Sequence, residues 1–112
     1  MIKIYNKKET TTQNIFLFSE DDWEQEKVNH PNVELFFNGK KNEIFIKTHS
    51  DKVDFFLGIG KDLKGFEIQA VANKFANDYK KNLQSVSTSV VSKLGLDLTE
   101  EFVKGLYLGT YI

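Results

Sequence analysis

Val53-Asp-Phe-Phe-Leu-Gly-Ile-Gly-Lys61, with the residues that follow it, decides the fold. A short apolar run rich in aromatics and closed by glycine predicts a buried strand over Val53–Leu57 that exits into a Gly-rich turn. From residue 66 to 83 the period changes. Ile68, Ala72, Phe75, Ala76, Tyr79 and Leu83 share one stripe, while Asn73, Asn77, Lys80 and Lys81 face away, which predicts an amphipathic helix. Val86–Val91 is β-branched and Ser/Thr-rich and predicts a second strand. Strand, helix and strand make a βαβ unit, whose strands run parallel with a right-handed crossover.

Working upstream, Asn14-Ile-Phe-Leu-Phe18 is a compact apolar run that predicts a strand buried on both faces. Ile2 and Ile4 alternate with Lys3 and predict a short first strand. Ser19 precedes an acidic stretch anchored by Trp23 and Val28, which suits a short helix capped by Ser19. His30-Pro31 breaks it. Val33–Phe37, Asn38-Gly39 and the alternating Glu43–Thr48 predict a hairpin, because Asn-Gly tolerates the positive φ of a tight turn. A helix ending at Gly39 is the competing reading. Downstream, Asp97 or Thr99 can cap a last helix with Glu100 and Glu101 in its first turn. Phe102, Leu106 and Tyr107 supply its apolar face. Gly105 and Gly109 lie four apart and cost about 1 kcal/mol each against Ala, so close packing should offset them. The sum is a single α/β domain with a mixed sheet flanked by helices.

Composition bounds the function. A chain of 112 residues with 40% hydrophobic residues, ten Phe, four Tyr and one Trp has material for one core. Fifteen basic residues, all Lys, against sixteen acidic ones give no long-range attraction to nucleic acid or to an anionic membrane. Without Arg, bidentate side-chain recognition of phosphate or guanine is excluded. Absence of cysteine excludes disulfides and thiolate metal sites and fits a reducing compartment. No signal peptide and no apolar run of spanning length is evident, so the expected location is cytoplasmic.

No motif names an activity. Gly58, Gly60 and Lys61 could present amides to a phosphate, but Leu63 stands where a dinucleotide fingerprint needs glycine, and Asp62 where a P-loop needs Ser or Thr. A tight strand exit explains them better. His30 and His49 read as loop residues, with no second soft ligand to complete a metal site. Ser85, Ser87, Thr88, Ser89 and Ser92 lack a nucleophile elbow and fit a half-exposed strand face. Glu20, Asp21, Asp22, Glu24 and Glu26 lack calcium-loop spacing and fit a solvated face.

Phe55-Phe-Leu-Gly-Ile-Gly-Lys61, the Ala-bearing helix over 68–83, and Lys104-Gly105-Leu-Tyr-Leu-Gly109-Thr-Tyr111 form an ordered series over residues 53–112. The series resembles the N-terminal domain of the leucyl (cytosol) aminopeptidase family. The resemblance implies a macro-domain-like mixed sheet and a non-catalytic domain spanning residues 1–112. The zinc or manganese pair and the catalytic residues would belong to a separate C-terminal domain. It also implies a structural, assembly or active-site-access role in a homo-oligomer, with Gly105, Tyr107, Gly109 and Tyr111 packing against the next domain and exposed without it. The rival is a stand-alone macro-like module that binds a nucleotide or ADP-ribose derivative at Gly58–Lys61.

Overall fold

The computed structural model describes residues 4–5, 13–61, 63–85 and 88–110. Among these residues the sheet has five strands: β1 (Ile4–Tyr5), β2 (Gln13–Ser19), β3 (Ile44–Thr48), β4 (Val53–Gly60) and β5 (Thr88–Ser92). They lie in the order β1-β5-β2-β4-β3. All neighbours are parallel except β3, which runs antiparallel to β4 at one edge. The helices are α1 (Glu20–Glu26), α2 (Gly65–Asp78), α3 (Lys80–Ser85) and α4 (Leu96–Thr110), with one 3-10 turn at Lys27–Asn29. This is the mixed α/β sheet flanked by helices that the sequence predicts. β4 and β5 are parallel, as the βαβ reading requires, but β2 lies between them. The predicted first strand survives as Ile4–Tyr5, and Ile2 falls outside the described residues.

Alternation along the strands gives the sheet two different faces. One carries Ile15, Leu17, Phe55, Leu57 and Val90, buried under Ile68, Ala72, Phe75, Phe102 and Leu106 from α2 and α4. Gly105 and Gly109 make that helix pair possible. A Cβ on Gly105 would lie 2.6 Å from the Cβ of Ala72, and one on Gly109 would lie 2.6 Å from that of Ala76. The expected close packing therefore occurs inside the domain. Both glycines are buried, so they do not present an open face.

The opposite face is covered at one end only. Phe18, Trp23, Val33, Phe37 and Phe56 form a second, smaller core there, with Trp23 and Phe37 edge to face at 4.9 Å. Ser19 ends β2 and caps α1 in the same residue, its side chain accepting from the Asp22 amide at 3.0 Å. The predicted cap is thus present and contributes about 1 kcal/mol.

Three expectations need correction. Val33–Phe37 is not a strand: the Val33 and Glu34 amides donate to the His30 carbonyl, and that of Phe36 to Val33. These turns bring Val33 and Phe37 onto Trp23 and leave Leu35 and Phe36 exposed, so a four-residue spacing outweighs the apparent run. β3 instead forms its hairpin with β4 through residues 49–52, where the His49 amide donates to Lys52. The long predicted helix breaks at Tyr79, whose φ of −119° leaves the helical region while its ring packs on Phe55 and Phe75. Finally, α4 starts at Leu96, with Asp97 the acidic residue of its first turn. Thr99 does not cap it; its hydroxyl donates back to the Gly95 carbonyl at 3.1 Å.

Candidate functional site

Strand register assembles a site that no local motif announces. On the half-open face, Ser89, Asn14, Asp54 and Lys47 stand side by side across β5, β2, β4 and β3. The next row is Val91, Phe16, Phe56 and Phe45. A polar row thus adjoins an aromatic one. Asp54 is only 8% exposed, an expensive position for a carboxylate unless hydrogen bonds compensate. They do: Asn14 Nδ2 donates to Oδ1 at 3.0 Å, and His49 Nε2 lies 3.1 Å from Oδ2.

Above the aromatic row opens a cleft of about 250 Å³. Phe16 and Phe56 form its floor, their centroids 5.4 Å apart. His30 forms a wall, stacked on Trp23 at 5.9 Å and edge-on to Phe56 at 5.1 Å. Burial pushes the His30 imidazole below its ordinary pKa, with Glu26 partly opposing the effect. Glu26 and Lys93 close another side, paired at 2.8 Å. The hydrogen bond from Lys93 holds the Glu26 carboxyl below the usual glutamate range. Asp54 and Lys47 complete the lining.

The candidates Gly58, Gly60, Lys61, Thr88, Ser89 and Tyr107 do not line this cleft. The Gly58 amide donates to the Glu43 carbonyl at 2.8 Å, and the Gly60 amide to Gly39 at 3.0 Å. The segment 39–43 therefore lies along the end of β4 and engages two of the donors a phosphate would need there. A Cβ on Gly58 would stand 2.1 Å from the Lys40 carbonyl oxygen, so glycine is what admits this crossing. Lys61 is exposed. Thr88 and Ser89 are buried rather than half-exposed, Thr88 donating to Gln13 at 2.8 Å. Tyr107 is partly buried against the main core, and Tyr111 lies outside the described residues. Among the described residues no three His, Cys, Asp or Glu side chains group closely enough to hold a metal ion. No helix among them is long and apolar enough to cross a membrane.

Asn14, Lys47 and Asp54 escape a motif search because they lie 33 and 7 residues apart in an order only the sheet brings together. The available signal was a polar residue in the early part of each of two apolar runs, Asn14 and Asp54. In parallel pairing these fall on one face.

The fold is a single α/β domain with a mixed sheet. Its full length superposes on part of a solved structure, a tomato leucine aminopeptidase mutant, with a TM-score of 0.69 and 10% identity. The match covers 100% of this chain and 28% of that one, so this chain spans under a third of its structural neighbour. No family model matches the sequence. The search of curated proteins also finds no match.

Proposed function

We propose that this chain is the non-catalytic N-terminal domain of a metal-dependent, leucyl aminopeptidase-like peptidase. Its role would be structural: assembly of the enzyme and control of access to its active sites. The observation that carries this reading is the superposition of the whole chain on a fraction of a leucine aminopeptidase. The ordered resemblance over residues 53–112 points the same way from the sequence. Zinc or manganese, and the peptide chemistry it serves, would belong to a separate catalytic domain within a homo-oligomer, as the resemblance over residues 53–112 implies.

Two measurements test the reading. Immunoblotting of source cells under denaturing conditions should find the polypeptide several-fold heavier than 12.9 kDa. A band at that mass alone would refute the domain assignment. The isolated chain should not hydrolyse leucine amides with added zinc or manganese. Turnover that persists through repurification and disappears on substituting a residue of this chain would refute its non-catalytic role.

A further inference from the structure

We infer that the half-open face of the sheet is a binding site for a small free amino acid with an apolar side chain. This goes beyond the domain assignment and does not depend on it. The first ground is an ion pair that register offers and the structure does not make. Lys47 stands directly opposite Asp54 across β3 and β4. Cβ atoms so placed are about 5 Å apart, close enough for opposite charges to pair. Yet the Asp54 carboxylate is held by Asn14 and His49, and Lys47 makes no ion pair among the described residues. Lys47 lines the cleft instead.

The second ground is the sign of the charges. Glu26 and Asp54 bring two acidic side chains to the lining and Lys47 and Lys93 two basic ones, together with the aromatic rings of Phe16 and Phe56. A balanced, mixed-sign lining repels a polyphosphate from its acidic members and a bare cation from its basic ones. A zwitterion suits it: the carboxylate at Lys47, the ammonium at Asp54, and the side chain over Phe16 and Phe56. Each carboxylate oxygen accepts two hydrogen bonds, so Asp54 retains capacity beyond Asn14 and His49. The third ground is size. A cleft of about 250 Å³ falls just under the ~300–1,000 Å³ of sites for drug-sized ligands. It admits one apolar amino acid.

The experiment is a titration of the 112-residue chain with L-leucine and L-phenylalanine, followed by amide NMR shifts along β3 and β4 and by fluorescence of Trp23, which stacks on the cleft wall. Expected is saturable binding with a dissociation constant of about 1 mM or tighter. It should weaken at least ~tenfold in Lys47→Ala, in Asp54→Asn, and for N-acetyl-leucine and leucine amide, which each lack one charge. Lys47 is exposed, so its variant separates lost binding from lost folding even where Asp54→Asn unfolds. No saturable shift at concentrations about fifty times higher would overturn the inference. So would binding equal for N-acetyl-leucine amide, or unaltered by Lys47→Ala, which would reduce the cleft to an apolar patch. None of these outcomes bears on the polypeptide's native size, the measurement that decides the domain assignment.

Discussion

Gly105→Ala is the sharpest probe of how the two long helices meet. Placed in the middle of a helix, alanine should help by about 1 kcal/mol. Here the new Cβ would lie 2.6 Å from the Ala72 Cβ and 2.7 Å from the Gln69 carbonyl oxygen. Carbon pairs attract best at ~3.5–4.0 Å, so α4 must retreat by about 1 Å. The second obstacle is backbone and cannot rotate away. Overpacking of this kind costs ~1–3 kcal/mol, and its upper range applies. Net destabilisation is therefore about 1–2 kcal/mol, or roughly 4–8 °C in Tm for a domain of this length. Circular dichroism melts with urea titrations read it directly. Adding Ala72→Gly should not restore stability, since the Gln69 carbonyl remains and glycine inside α2 itself costs about 1 kcal/mol. Leu108→Ala, at an exposed position of the same helix, should change stability by under ~0.5 kcal/mol. A rise in Tm for Gly105→Ala would mean that helix propensity acts alone and that α2 and α4 are not in contact.

Three further outcomes follow from the same geometry. Gly58→Ala should destabilise by about 3 kcal/mol or more, because the 2.1 Å approach of the Lys40 carbonyl leaves no space for a methyl group; a wild-type urea midpoint would refute the crossing of segment 39–43. Ser19→Ala should cost about 1 kcal/mol by removing the cap of α1, and an unchanged midpoint would deny that Ser19 serves as one. His30 should titrate below 6.5 in an NMR pH series. Its folded pKa is depressed, so its contribution to stability is complete above the unfolded pKa and is lost as pH falls through the folded one. His30→Gln should flatten that acid limb, and a pKa above 6.5 would contradict desolvation of this partly buried ring.

The order of the main elements was legible because each carries its own period. β2 and β4 read directly from Asn14–Phe18 and Val53–Leu57, and the stripe from Ile68 to Ala76 lies where α2 buries it. Other features depended on contacts that are remote in sequence. Val33–Phe37 reads as a strand until Trp23 is placed beside it, since only tertiary contact selects Val33 and Phe37 over Leu35 and Phe36 for burial. Tyr79 fits the helical stripe perfectly well. Its ring finds Phe55 and Phe75 from a position where the backbone has left the helix. The cleft was less legible still. Its charged groups come from α1, β3, β4 and the residue after β5, and pairing register alone brings them onto one face.

The two faces of the sheet pose one energetic question. Helices cover the first face with aliphatic and aromatic side chains, and glycine spacing lets those helices close tightly. The second face has the same alternation and could have been covered likewise. Near their starts, β2 and β4 instead hold Asn14 and Asp54 on this face, both buried and tied to each other. A buried hydrogen-bonded polar pair adds little net stability over apolar residues of similar shape, and it loses hydration that only good geometry restores. Stability alone therefore does not favour this row. Nor does solubility, because neither group reaches freely into solvent. What the row does provide is a fixed carboxylate beside an aromatic floor, with its register partner Lys47 left outside the network. That arrangement selects a ligand by charge and by shape at once, a capacity an apolar second face would lack.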